Sequence, residues 1–213
     1  MHTQIIIPYN EAEKYIKEAD VLLCRGKGIV SQIISKITRS PYTHVGLASW
    51  SGNPKESVLE MVEFKEFRGG RTSSLAYQAT QYPNRIDVYR AVPCIDTLSP
   101  FMGKSGFQVN TIIKSMNGRN ITNFIRRQTG KPYSMWHIGK FAISWLPFTR
   151  WLLPYNTDDT LENDGYVCSI IVCCAFKHNY TDLVKNLPDS WCRPVDISQS
   201  ALLTYLFTIG PPQ

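Results

Sequence analysis

The segment YVCSIIVCCAFK, residues 166–177, constrains this chain more than any other. It reads as a strongly apolar helix, preceded by Asn163, Asp164 and Gly165, which can turn the chain and cap a helix start. Such a helix is expected to pack across a sheet, and the rest of the chain offers the strands. At 213 residues the default is one domain, large enough to bury a core without a metal or disulfide scaffold.

The spacing predicts a short helix over residues 11–18, then a strand over 20–24 (DVLLC). Gly26 and Gly28 turn the chain into a helix over 29–38, with apolar positions at Ile29, Val30, Ile33, Ile34 and Ile37. Ser40-Pro41 stops it, because the residue before proline disfavours the α region. Two strands follow, 43–49 and 57–67, as a hairpin across Ser51-Gly52-Asn53-Pro54. A strand is expected over 85–91, a helix over 121–128 ended by Gly130 and Pro132, and a last strand over 202–209. Early strands, interspersed helices and a late strand argue α+β, with a mostly antiparallel sheet packed against helices.

Composition narrows the function classes. Twenty-three Lys and Arg against seventeen Asp and Glu give +6, which favours anionic partners without selecting one. The basic residues form no dense run and no recognition motif accompanies them, so no nucleic-acid partner is expected. Six cysteines are too sparse for a disulfide scaffold; free thiols in a reducing compartment fit better. No paired Cys-x-x-Cys zinc pattern occurs, and Cys174 with His178 at i, i+4 is too small a ligand set to imply a metal. The first residues lack a signal-peptide pattern and no apolar run is long enough to span a bilayer, so a cytoplasmic location is expected. The nearest candidate opens at Trp136 and closes at Tyr155, but Lys140, Pro147, Arg150 and Pro154 interrupt it. It suits a membrane surface better than a crossing. Packing of its aromatic side on the domain core is the competing account.

Chemistry points first to Cys168. A thiol in the first turn of a helix faces unpaired N–H groups and the positive end of the dipole, which favour a thiolate. Cys173 and Cys174 sit deeper and lack that advantage. A small buried hydrophobe is the plainer account of Cys168. Among the four histidines, His2 is terminal, His137 has no acid beside it, and His178 lies at the far end of the cysteine helix. His44, in SPYTHVGLAS, shares a strand face with Tyr42, Gly46 and Ala48, so there is room beside it for another group. The next strand supplies a carboxylate: Glu60 on one face with Val58 and Val62, or Glu63 on the other. Glu60 is the first choice and Glu63 the competing one, since the sequence leaves the buried face open.

The runs ADVLLCRGKGIVSQIISKITRSPYTHVGLAS, VLEM, GKPYS, GYVCSIIV and CRPVDISQS, in that order, resemble the circularly permuted branch of the NlpC-type cell-wall peptidase superfamily. That group has a papain-like fold and includes lecithin–retinol acyltransferase relatives. The resemblance covers residues 19–200, and the histidine segment is its most specific part. It implies one permuted papain-like domain over 1–213, with a variable aromatic-rich insertion at about 134–163. It places the nucleophile on Cys168, the base on His44 and the orienting acid on Glu60. The chain departs from the pattern at Ile170, where an acidic residue is usual, and at Met61, where a small one is.

The implied activity is a cysteine hydrolase cleaving amide or peptide bonds, of cell-wall type or isopeptide links, through an acyl-enzyme. Tyr133 is a candidate to hold the oxyanion or substrate, with Tyr166 a weaker one. No metal or organic cofactor is needed. The partner is then a peptide or acyl substrate, with delivery to a cell wall by another route left open and peripheral membrane contact through the run from Trp136 to Tyr155 as an option. The alternatives are a thioesterase, acyltransferase or lipid hydrolase on the same scaffold, or a non-catalytic binding module.

Overall fold

The computed structural model describes residues 4–53, 56–92, 116–134, 166–185 and 187–213. The insertion at 134–163, apart from Ser134, lies outside them, as do the aromatic run 136–155 and the turn at Asn163, Asp164 and Gly165. The fold is α+β. Seven strands form one sheet: β1 (Ile6–Pro8), β2 (Val21–Cys24), β3 (His44–Ser51), β4 (Val58–Lys65), β5 (Gly69–Ser74), β6 (Ile86–Ala91) and β7 (Leu203–Gly210). Their order across the sheet is β1-β7-β6-β2-β3-β4-β5. Every pairing is antiparallel except β1 with β7, so the sheet is mixed rather than wholly antiparallel.

Helices cover both faces. On one face Val21, Leu23, Val45, Leu47, Val62 and Phe64 meet α4 (Gly118–Arg126) and α5 (Cys168–His178). On the other, Leu22, Ala48, Leu59 and Met61 meet α1 (Tyr9–Ala12) and α3 (Leu75–Gln81). The remaining helices are α2 (Ile29–Thr38) and α6 (Pro194–Ser198). α5 is nearly all buried, from Cys168 through Cys173 and again at Ala175 and Phe176, which is why an almost unbroken apolar run makes a stable helix here. The expected helix over 11–18 is shorter. α1 passes into a single 3-10 turn at Glu13–Tyr15 and stops.

Two features position the site. The Glu18 carboxylate accepts from Ser49 Oγ at 2.7 Å, from the Trp50 backbone N–H at 2.8 Å, and from the Thr122 hydroxyl. It thereby pins α4 to β3. At the β4–β5 turn, Gly69 has φ +70° and sits so close to the Lys131 carbonyl that a Cβ would lie 2.2 Å from that oxygen. Glycine alone allows the contact, and the Gly70 N–H donates to the same carbonyl at 3.0 Å. The segment carrying Tyr133 is thus held against the sheet.

Candidate active site

The site begins with register. β2 and β3 pair Cys24 with His44, and β3 and β4 pair Gly46 with Glu63. Glu63 and His44 are therefore two positions apart in register and extend from the same face. His44 Nε2 lies 2.6 Å from Glu63 Oε2. The side chains are 12% and 1% exposed, so the contact is shielded from water.

The acid expected at His44, Glu60, is not the one that reaches it. Glu60 pairs with Ser49, an odd number of residues from His44, so it projects from the opposite face. There it meets Arg126 of α4 at 2.6 Å. Glu63, the competing carboxylate, takes the place beside the imidazole. Its second oxygen, Oε1, accepts from Arg71 Nε at 2.8 Å, from Arg71 Nη2 at 2.5 Å and from Ser73 Oγ at 3.4 Å.

Cys168 is the first residue of α5 and 3% exposed. The helix is capped by Val167, whose side chain makes no capping bond, so no side-chain oxygen competes for the first N–H groups. Cys168 lies near enough to His44 to act on its protonation. With Nε2 committed to Glu63, the ring nitrogen open to the thiol is Nδ1, which is buried and makes no hydrogen bond of ordinary geometry.

The electrostatics follow from these contacts. Burial pushes the His44 pKa down, but the proximity of Cys168, followed by the Glu63 hydrogen bond and charge, outweighs it and holds His44 well above 6.5. For Glu63, burial pushes upward, while the His44 hydrogen bond and charge and then Arg71 bring the carboxyl down to about 2. Cys24, beside His44 in register, is pushed up to about 12, mainly by burial, and stays a neutral thiol.

Tyr133 joins the group from the loop after α4. It forms an isolated parallel bridge with Tyr166, and the Ser134 N–H donates to the Tyr166 carbonyl at 3.2 Å. Tyr133 lies beside Cys168, and burial, followed by Cys168 and Glu66, raises its hydroxyl pKa well above the ordinary range, so that it stays protonated. The Tyr166 ring meets Phe64 edge-on at 5.5 Å, with Lys131 Nζ 5.9 Å from its centroid. His178 stacks on Phe124 at 5.0 Å, at the far end of α5.

The structure therefore gathers Cys168, His44, Glu63 and Tyr133, with Tyr166 bridged to Tyr133, and leaves Glu60 on the opposite face with Arg126. Arg71 was not among the residues singled out by sequence, and the strand that carries it, GGRTSS, has no apolar alternation to announce it. Among the described residues, no three His, Cys, Asp or Glu side chains gather as a metal site would require. No helix of the described residues is long and apolar enough to cross a membrane.

The buried Glu63 pair has a pH consequence. A carboxylate whose folded pKa is about 2, against an ordinary 4.5, contributes stability that is present above about 4.5 and lost as pH falls through 2. The contribution is about 3 kcal/mol. Acid unfolding followed by circular dichroism should show Glu63→Gln less stable at neutral pH and with a shallower loss between pH 4.5 and 2. Parallel profiles for the two proteins would contradict the assignment.

No family model and no curated protein matches this chain. Among solved structures, it is similar to the crystal structure of the metalloprotein yiiX from Escherichia coli O157:H7. The TM-score is 0.56 at 14% identity, and the match covers 92% of this chain and 99% of that one. At that identity the likeness is one of fold: the two chains share an α+β arrangement over nearly their whole length.

Proposed function

We propose that this chain is a cysteine hydrolase of permuted papain-like, NlpC-type fold, cleaving amide or peptide bonds through an acyl-enzyme. The observation that carries the reading is one chain of contacts. Cys168 opens α5 within reach of His44, and the other nitrogen of that ring is 2.6 Å from a buried carboxylate. Nucleophile, base and orienting acid stand in that relation in thiol and hydroxyl triads. Their chain order here, His44, Glu63, Cys168, is the order of the permuted branch that the sequence resembles.

In this mechanism His44 Nδ1 takes the proton of the Cys168 thiol, and the sulfur attacks the substrate carbonyl carbon. The carbonyl π electrons move to oxygen. That oxygen accepts from the Cys168 backbone N–H at the opening of α5 and from the neighbouring Tyr133 hydroxyl. Collapse expels the amine, which leaves with the proton held by His44, and a thioester remains on Cys168. Water, deprotonated by His44, then attacks the thioester and releases the acid and the free thiol. Glu63 keeps Nε2 protonated and balances the imidazolium.

The Escherichia coli protein is described as a metalloprotein. In this chain Glu63 spends both oxygens on His44 and Arg71, His44 Nε2 is committed to Glu63, and no group of three His, Cys, Asp or Glu side chains gathers among the described residues. The residues do not fit a metal, and no step is assigned to one.

The testing experiment is a substrate panel of muropeptides, acyl esters and acyl-thioesters, with intact-mass detection of the acyl-enzyme. Turnover of amide substrates with an acyl adduct on Cys168 is expected. Turnover confined to esters and thioesters would favour the acyltransferase or lipid hydrolase alternative. Absence of any Cys168 adduct across the panel would leave the binding-module reading.

A further inference from the structure

We propose that Arg71 is a positioning residue of this site, fixing Glu63 for His44 and limiting how tightly the pair holds the imidazole proton. The inference rests on the proposed function, because only a base that must take up and release a proton needs such a device.

The geometry divides Glu63 between two partners. Oε2 faces His44 Nε2 at 2.6 Å, while Oε1 takes two N–H groups of Arg71, at 2.8 and 2.5 Å, and Ser73 Oγ at 3.4 Å. β4 and β5 place Glu63 directly opposite Arg71, so the ion pair is built into the register. Glu63 is 1% exposed, and a carboxylate that far from water needs a counter-charge.

His44 alone could supply that charge only while protonated. Burial would then lock the proton on the ring, and a locked imidazolium cannot accept the thiol proton. Arg71 is charged at every pH, so Glu63 stays compensated whether His44 carries its proton or not. The groups that face His44 come from four elements: Cys24 on β2, Glu63 and Lys65 on β4, Arg71 on β5 through Glu63, and Cys168 on α5. Lys65 engages the Tyr82 hydroxyl at 3.3 Å and ring at 5.3 Å, so Arg71 is the cation in contact with Glu63.

The sign of one titration separates this role from simple bracing. If Arg71 only braced Glu63, its loss would let the carboxylate drift and the His44 pKa would fall. If its charge moderates the pair, its loss leaves Glu63 uncompensated and the His44 pKa rises. The test is an NMR titration of the histidine rings in the full chain, in a Cys168→Ala background that removes the thiol. The His44 signal is assigned by its loss in His44→Gln. Arg71→Gln should raise the His44 pKa by about one unit, and Arg71→Lys, which keeps the charge but not the two-donor contact, should leave it within about 0.3 units. No change or a fall in Arg71→Gln would overturn the proposal. Should that variant not fold, a fall in Arg71→Lys would overturn it and an unmoved value would support it. Failure of the hydrolase reading is seen separately, as absence of Cys168 acylation in protein with Arg71 intact.

Discussion

Cys168→Ala is expected to lower turnover by at least about a thousandfold while leaving the fold in place. The size follows from the role: without the sulfur no acyl-enzyme forms, and the Cys168 N–H and Tyr133 hydroxyl can only polarise a carbonyl that nothing attacks. The small stability effect follows from chemistry at the site, since alanine keeps the helix-favouring backbone at the first position of α5 and loses one sulfur. Turnover beside melting temperature checks both halves. A variant that retains more than a tenth of the activity would show that another group is the nucleophile.

The second large effect separates two carboxylates three residues apart. Glu63→Gln should cost roughly a hundredfold or more in turnover, because the imidazole loses the charge that orients it and balances its proton. Glu60→Gln should stay within about twofold. Its partner Arg126 lies on the other face, and both side chains are partly exposed, at 22% and 27%, so the pair contributes under about 1 kcal/mol to stability. Parallel kinetics on the two variants give the comparison. A greater loss from Glu60→Gln would return the orienting role to that residue.

Why sequence reasoning favoured Glu60 is a matter of strand physics. Alternation reveals an inward face only when the other face is wet, and β4 is buried on both. Leu59 and Met61 are packed beneath α1 and α3 while Val62 and Phe64 are packed beneath α4 and α5. Both carboxylates therefore sit among apolar neighbours, and only register with β3 tells them apart. Cys168 and His44 were legible for better reasons. One opens an apolar helix, and the other sits in a strand with small neighbours. Gly46, opposite Glu63, has no room for a Cβ, which would lie 2.9 Å from the Val62 carbonyl oxygen.

The long apolar elements β2, β3, β6, α5 and β7 fall within a few residues of their expected bounds. β5 and α3 were not anticipated. GGRTSS carries no apolar pattern, and its pairing with β4 comes from Gly69 and Gly70 accepting the 128–132 loop against the sheet. α3 is capped by Ser74, whose hydroxyl accepts from the Tyr77 N–H, a start signal hidden in a polar run. β1 is three residues long and is held by parallel pairing to the far end of the chain, a contact that no local pattern encodes. Arg71 was lost with β5.

The central claim is that Cys168 is the activated thiol, and competitive alkylation addresses it without knowledge of the substrate. Folded protein is treated with limiting iodoacetamide near neutral pH, quenched, and mapped by mass spectrometry at all six cysteines. Cys168 should be labelled first, and His44→Ala should slow that labelling at least about tenfold. Cys24, held neutral with its pKa near 12, should lag, as should Cys173, raised by its contact with Cys192 and by burial, and Cys192, raised by burial. Faster labelling of Cys24 or Cys192, or a Cys168 rate indifferent to His44, would contradict the account.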